Sequence, residues 1–413
     1  MSQNSQPLSL EEALQRLFSS LTPVTEQQTL PLVESLGRVL ARELRAPINL
    51  PPFPASAMDG YALRSTDFTQ QPTQAFRVVA QSLAGHPTDH HLQPGEAVRV
   101  FTGAKVPEGA DCVLLQEEAK SLDGDSVTFN AHTPGESFIR PIGHDVKAGQ
   151  VLATPGTAIT PLLCGSLAAS GVDQIEVLRK PRVGVFSTGD ELVDPGTPAA
   201  ELQPGQIYDS NRLTVLSLLA QTPCELINLG RLADDEQQVL DALQDGASRC
   251  DVLITSGGVS VGDADFVTAA ISQLGQLEFW RLNLNPGKPL AFGRIGNCHI
   301  FGLPGNPVST IVTLLLLTKP ALLKIAGTDP QPPLRITARL QGSLNHPPGR
   351  TEFQRGILSN EGGELRARVT GDQSSNRLST FHGANCLIEV PGPCGDLSDG
   401  ERVTVLPFSG LLD

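Results

Sequence analysis

A chain of 413 residues exceeds one ordinary hydrophobic core, so several domains are expected. Hydrophobic residues make up 39% of it and charged residues 18%, the balance of a folded globular protein and not of a disordered one. The net charge of −14, with no basic stripe to offset it, argues against nucleic acid as a partner.

The N-terminal run MSQNSQPLSLEEALQ has no charged segment leading into an apolar one, so no signal peptide is expected. Ser9 and Glu12 form an S-x-x-E capping box that opens a helix, LEEALQRLFSSL. A second helix is expected over 31–43, PLVESLGRVLARE. Prolines 51, 52 and 54 then forbid a helix and mark an extended entry into a new unit. From 51 to 140 short β-like runs alternate with turns, as in FRVVAQSL, EAVRVFTG and SVTFNAH. This is read as a β domain inserted into a split helical and extended unit, residues 1–50 with 141–177.

Between 178 and 328 strand, loop and helix repeat. RVGVFSTGDEL, CELINLGRLADD and DVLITSGG are strands, and YDSNRLTVLSLLA begins with capping residue types before becoming a helix. The pattern predicts a mostly parallel, doubly wound α/β sheet. The most apolar run, VSTIVTLLLLTKPALL, meets Lys319-Pro320 after about a dozen residues, too short to span a bilayer, and is read as a buried helix. From 329 to 413 short strands between Gly/Pro turns predict a small β-barrel. The seven cysteines are never spaced C-x₂-C, so neither a zinc site nor a disulfide framework is expected. A cytoplasmic protein with no membrane span is expected.

The stretch DVLITSGGVSVGDAD (251–265) poses the chemical question. Gly258-Val259-Ser260-Val261-Gly262 fits the G-x-S-x-G of a serine nucleophile elbow. Asp263 and Asp265 follow in the same loop, however, and carboxylates oppose a developing oxyanion. The three strand ends carry Asp190-Glu191, Asp234-Asp235, and Asp263 with Asp265. In a doubly wound sheet they face one crevice, unless they merely cap helices. No G-x-G-x-x-G occurs, and Pro289 replaces the Ser/Thr of a P-loop after Gly287-Lys288. What remains is a loop of Gly257, Gly258 and Ser260 able to cradle phosphate, beside carboxylates able to hold Mg²⁺.

Eight ordered motifs then carry a resemblance along nearly the whole chain: SAMDGYA, TGAKVPEGAD, GHDVKAG, FSTGDEL, IYDSNR, TSGGVSVGDAD, PGKPLAFG and GLPGNPVS. Together the sequence resembles the MoeA-type molybdopterin molybdotransferases, the family of the gephyrin E domain. The resemblance implies four regions per subunit and a homodimer with active sites between subunits. It also implies a reaction that inserts molybdenum from molybdate into adenylylated molybdopterin and releases AMP. Asp59, Thr102, Asp145, Glu191, Asp234 and Asp265 are implied as active-site residues, with Glu191, Asp234 and Asp265 as Mg²⁺ ligands. Lys288, Ser309, Arg355 and Ser375 are the implied molybdate contacts, and Pro304 and Pro307 belong to the same substrate-binding set. Where relatives commonly read Lys-Pro-Gly-Lys, this chain has Asn285-Pro286-Gly287-Lys288, which removes one positive charge. Two alternatives stay open at this point: a molybdopterin adenylyltransferase-like or related pyrophosphate-cleaving enzyme, and a non-catalytic scaffold of the same architecture.

Overall fold

The structure is a computed structural model that describes residues 7–130, 138–259 and 266–412. Ser260 and Asp265 therefore lie outside the described residues, as do Val261, Gly262 and Asp263.

The capping box forms as expected. Ser9 Oγ accepts from Glu12 N–H at 3.2 Å, Glu12 Oε2 accepts from Ser9 N–H at 2.8 Å, and the helix runs Leu10–Ser20. The helix expected over 31–43 does not form. Gln27–Pro31 is a strand, only Leu32–Glu34 makes a short 3₁₀ turn, and Val39 and Leu40 bridge to Ala158 and Val177. The physical reason is Gly37, whose φ of +73° lies in the left-handed region and turns the chain out of any helix there. Gln27–Pro31 pairs antiparallel with Gln174–Leu178, so the first segment of the chain joins the segment beyond residue 141. The residues between fold on their own core of Tyr61, Phe68, Phe76 and Phe129 within a six-stranded sheet.

The central sheet also has six strands: β1 Arg182–Thr188, β2 Glu225–Leu232, β3 Val252–Ser256, β4 Gln276–Arg281, β5 Pro289–Ile295 and β6 Cys298–Leu303. Their order is β2-β1-β3-β6-β5-β4. The pairs β2–β1, β1–β3 and β3–β6 are parallel, while β5 runs antiparallel to both β6 and β4. Both faces are buried, which is why the strand sequences read as unbroken apolar runs. In β3, Val252 and Ile254 face one core while Leu253 faces the other, packed with helices Glu236–Arg249 and Phe266–Leu274.

The first of these cores draws on the whole length of the chain. Leu10, Ala13 and Leu17 from the N-terminal helix pack with Leu314, Leu317 and Leu322, and with Leu387, Leu406 and Leu411 near the C-terminus. The apolar helix at its centre does not stop at Lys319-Pro320 but runs Pro307–Ile325. Pro320 has no N–H for the Leu316 carbonyl and would clash with it in a regular helix, and the turn over Leu314–Thr318 widens to a π-helix. At 19 residues and mean hydropathy 1.6 it could cross a membrane by length and composition, yet 83% of its most apolar stretch is buried in the fold.

Five C-terminal strands close on themselves: Ile336–Leu340, Thr351–Glu361, Glu364–Val369, Cys386–Val390 and Arg402–Pro407. Thr351–Glu361 pairs with both Glu364–Val369 and Cys386–Val390, and Arg402–Pro407 joins Cys386–Val390 to Ile336–Leu340, so the barrel has no gap. All seven cysteines are free.

Leu322 is fully buried where the N-terminal helix meets the long apolar one. Leu322→Ala should therefore lower stability by about 2–5 kcal/mol, the range for a truncated core leucine. A lowered denaturation midpoint in urea would show it; an unchanged midpoint would mean that this packing contributes little.

Candidate active site

Parallel strands deliver their carboxyl ends to one edge, and a cavity of about 920 Å³ opens there. Its lining includes Thr188, Glu191, Asp209 and Asn211, then Asp234, Gly257 and Gly258, then the turn Asn285–Lys288, Pro304, Pro307 and Ser309, and lastly Arg350 and Ser375. The tips of β2 and β6 are three strand spacings apart, roughly 14 Å. The cavity therefore has two chemically different ends.

The acidic end lies at the tips of β1 and β2. Asp190 and Asp234 latch the two loops reciprocally: Asp234 N–H donates to Asp190 Oδ1 at 3.1 Å, and Asp190 N–H donates to Asp234 Oδ2 at 3.4 Å. Asp235, by contrast, caps the helix Glu236–Arg249 by accepting from Gln238 N–H at 2.8 Å, so its role is structural. Beneath the acids lies Asp209, 1% exposed. Desolvation pushes its carboxyl up, but hydrogen bonds from Ser187 Oγ (2.5 Å) and Arg212 Nε (2.9 Å) outweigh this and hold it below the usual carboxylate range. Arg212 also donates to Asn228 and pairs with Asp194, which ties Asp209 to the loops after β1 and within β2. Neither Asp209 nor Asn211 was singled out by sequence. IYDSNR reads as a helix start, and Asp209 does accept from Arg212 N–H at 3.2 Å in that capacity while also flooring the cavity.

Gly257 and Gly258 carry φ of +96° and +65°. A Cβ on Gly257 would stand 2.8 Å from the Thr188 carbonyl, so glycine here permits β1 and β3 tips to close together. Its N–H donates to Leu303 O at 3.2 Å, so here Gly257 serves the close packing of the strand tips and not the ligand donor that was expected.

At the other end, Lys288 is exposed, Ser309 is buried, and Asn306 Nδ2 donates to Ser375 Oγ at 3.1 Å. Val308 N–H donates to Ser375 O at 3.1 Å, which seats the barrel loop on the start of the apolar helix. Asn211 Nδ2 joins this end to β3, donating to Ser256 Oγ (2.9 Å) and Gly305 O (2.7 Å). Arg355 does not line the cavity. It is fully buried behind the wall, with Nε donating to Thr380 Oγ1 at 3.0 Å and Nη2 to the carbonyls of Ser374 (3.2 Å) and Asp372 (3.4 Å). Burial pulls its guanidinium down to about 10, and its Nη1 has no partner among the described residues. Arg355 thus holds the loop that presents Ser375.

Asp59, Thr102 and Asp145 stand apart from this cavity within the chain. Asp59 Oδ1 accepts from both Thr102 N–H (2.7 Å) and Thr102 Oγ1 (2.8 Å), and these bonds hold its carboxyl below the usual range. Asp145 is exposed, its N–H bonded to Leu50 O at 2.9 Å.

A metal in this cavity would have to be held by oxygen donors. Among the described residues no three Asp, Glu, His or Cys side chains converge on one point. Mg²⁺, however, is commonly held by one or two carboxylates with water and substrate phosphate, and Glu191 and Asp234 offer that donor set. The hydroxyl of Thr188 beside them is buried without a partner among the described residues. The donors fit a hard dication. Two of the histidines are engaged elsewhere: His299 is buried in β6 with its pKa pulled down to about 4 by desolvation, and both ring nitrogens of His346 face backbone carbonyls.

Residues 8–171 match the MoeA N-terminal region (domain I and II), 184–324 the probable molybdopterin binding domain, and 337–408 the MoeA C-terminal region (domain IV). The chain belongs to the MoeA family. It is 41% identical to the molybdopterin molybdenumtransferase of Haemophilus influenzae, covering 98% of this chain and 100% of that one. Identity to the molybdopterin molybdenumtransferase 2 of Mycobacterium tuberculosis is 36%, over 95% and 97% of the two chains. The crystal structure of the molybdopterin biosynthesis MoeA protein of Pyrococcus horikoshii superposes with a TM-score of 0.82 at 29% identity, covering 97% of this chain and 100% of that one. Family members flank the central domain with the same N- and C-terminal regions found here, so the match extends well beyond a lone adenylyltransferase-like domain.

Two outcomes follow from this geometry. Gly257→Ala should impair turnover by about tenfold or more, because both the left-handed φ and the Thr188 carbonyl exclude a Cβ; wild-type turnover in the variant would show that the β1–β3 tips need not close. Asp209, with its folded pKa lowered, contributes stability that is complete above the usual carboxylate range and lost as pH falls through its folded value. Asp209→Asn should therefore shrink the fall in melting temperature between neutral and acid pH, and an unchanged fall would place the acid sensitivity elsewhere.

Proposed function

We propose that the chain is a molybdopterin molybdenumtransferase that inserts molybdenum from molybdate into adenylylated molybdopterin and releases AMP, a late step of molybdenum cofactor biosynthesis. The observation that carries this reading is the two-ended cavity. One end gathers Glu191 and Asp234, and the other gathers Lys288, Ser309 and Ser375. A substrate with a pyrophosphate at one end and a dithiolene awaiting an oxyanion at the other fits that division. The relatives that match across the whole chain are named molybdopterin molybdenumtransferases, which supports the molybdenum-transfer part of the reading.

In this reading the acidic end would hold Mg²⁺ through Glu191 and Asp234, with Asp265 as the further implied ligand. The dication supplies neutralisation of pyrophosphate charge, which a chain of net charge −14 otherwise opposes. The Asp190–Asp234 latch keeps the two acid-bearing loops at fixed separation, so the charge is placed before substrate arrives. At the other end Lys288 provides the ammonium, and Ser309 and Ser375 provide hydroxyl donors to a tetrahedral oxyanion. Arg355, buried behind the wall, supports this end indirectly through the Ser374 carbonyl beside Ser375. Molybdenum takes its soft sulfur ligands from the substrate, which is consistent with the absence of a cysteine cluster among the described residues. A cytoplasmic location belongs to the same reading.

Asp59, Thr102 and Asp145 enter through a second subunit. Their placement away from the cavity in one chain supports a homodimer in which the inserted β domain of one subunit, with Asp145 just beyond it, completes the site of the other. Wild-type protein given adenylylated molybdopterin, molybdate and Mg²⁺ should release AMP in a molybdate-dependent manner. Asp59→Asn and Asp234→Asn should each abolish that release. Mixing the two after subunit exchange should recover about a quarter of wild-type activity, the share of sites that random pairing leaves intact. Mixed subunits that exchange but remain inactive would place the whole site within one chain.

A further inference from the structure

The joint between the α/β domain and the barrel contains a buried Glu–His pair that the site described above leaves unused. Residues Leu284–Asn285 run parallel to Thr351–Glu352, and Thr351 N–H donates to Asn283 O at 3.1 Å. Across this joint Asn285 Nδ2 donates to Glu352 Oε1 at 3.0 Å. Glu352 is 7% exposed, and its other oxygen lies 3.9 Å from Nε2 of His346, which is 2% exposed.

His346 has an unusual setting. Its Nδ1 lies 2.9 Å from the Cys394 carbonyl and its Nε2 lies 2.9 Å from the Arg350 carbonyl. Both ring nitrogens are thus engaged by backbone carbonyls, which fixes the orientation of the ring. Glu352 is the carboxylate that faces it, while Asp396 Oδ1 accepts from the His346 backbone N–H at 2.8 Å. The pair thus grips the cavity wall at two points. Glu352 holds Asn285, and His346 holds the backbone of Arg350, whose own Nη1 donates to Leu284 O at 3.3 Å. Asn285 and Arg350 both line the cavity.

We infer that Glu352, backed by His346, is a positioning residue for the Asn285–Lys288 turn and acts through the side chain of Asn285. Its effect on molybdate rests on the function proposed above; its effect on the turn does not. The Asn285 amide donates to Glu352, so this residue shapes the turn and Lys288 carries the charge toward the anion. A lysine at 285 would meet the largely buried Glu352 carboxylate first, and Asn285→Lys should leave the molybdate dependence within about twofold of wild type, because its ammonium would be held there and not at the anion.

The test uses the full-length chain with Glu352→Ala, Glu352→Gln, Asn285→Ala and the Glu352→Ala/Asn285→Ala double variant. Amide hydrogen exchange, measured without substrate, should speed up across residues 283–290 in Glu352→Ala and Asn285→Ala by about three- to tenfold, the loss of one hydrogen bond. The double variant should be no faster than the faster single, because both remove the same contact. Glu352→Gln keeps an acceptor for Asn285 and should restore most of the protection. In kinetics, the molybdate KM should rise by a similar factor while the KM for adenylylated molybdopterin and kcat hold. If Glu352→Ala does not fold, Asn285→Ala and Glu352→Gln carry the same comparison. Unchanged exchange over 283–290, additive effects in the double variant, or equal rises in both KM values would overturn the inference. A wild-type protein indifferent to molybdate would overturn the proposed reaction instead, with the positioning role then decided by exchange alone.

Discussion

Everything about the site depends on strands β2, β1, β3 and β6 running the same way. Parallel strands hydrogen-bonded side by side must end along one edge, and the loops that leave them cannot avoid facing one another. That constraint gathers Glu191, Asp234 and Gly257 without any direct bond among the three. It also spaces them: a substrate lying across the tips meets acids first and hydroxyls and an ammonium last. The reversal at β5 then returns the chain to the same edge, so the turn Asn285–Lys288 enters beside the tip of β6. A sheet continuing in parallel there would have begun its next strand at the opposite edge.

The edge alone forms an open shelf. The barrel supplies the missing wall, and the joint that brings it there is made by backbone pairing as well as side chains. Leu284–Asn285 lies against the barrel strand Thr351–Glu361, and Ser375 is bonded to the start of the apolar helix. Arg355 is instructive here. An arginine wholly withdrawn from solvent is a costly residue to place in a wall, and three of its donor contacts go to the loop that carries Ser375. The barrel's rigidity is in this way transmitted to one hydroxyl of the cavity.

Much of this architecture was legible in the sequence because local pattern and tertiary environment agree. The five barrel strands read as short β runs between turns, and the central strands read as apolar runs because both their faces are covered. The helix expected over 31–43 failed for the opposite reason. Apolar residues at 32, 33, 36, 39 and 40 imitate a helical stripe, but one glycine in the left-handed region cancels it, and Val33 and Leu36 end up exposed. Within the cavity, Glu191, Lys288, Pro304, Pro307 and Ser309 lie in the quoted motifs, while Asp234 was singled out at a strand end and Ser375 through the family resemblance alone. Asp209 and Arg350 were not. Asp209 hides inside a helix-start signal that is itself genuine, and Arg350 follows a Pro-Pro-Gly turn that gives no hint of which domain it will face. Arg355 was readable as important but not as buried.

The large core has a consequence for how the chain is made. It needs the helix Leu10–Ser20, the apolar helix Pro307–Ile325 and Leu411, which follows the last barrel strand. No earlier portion of the nascent chain holds all the surfaces that cover that helix. Synthesis therefore passes through a long interval in which a sheet and its most apolar helix exist with part of their cover still inside the ribosome. A chain cut before Arg402–Pro407 would lack Leu406 and Leu411 and leave its most apolar segment partly open, so the residues from 402 onward act as a late seal on the fold.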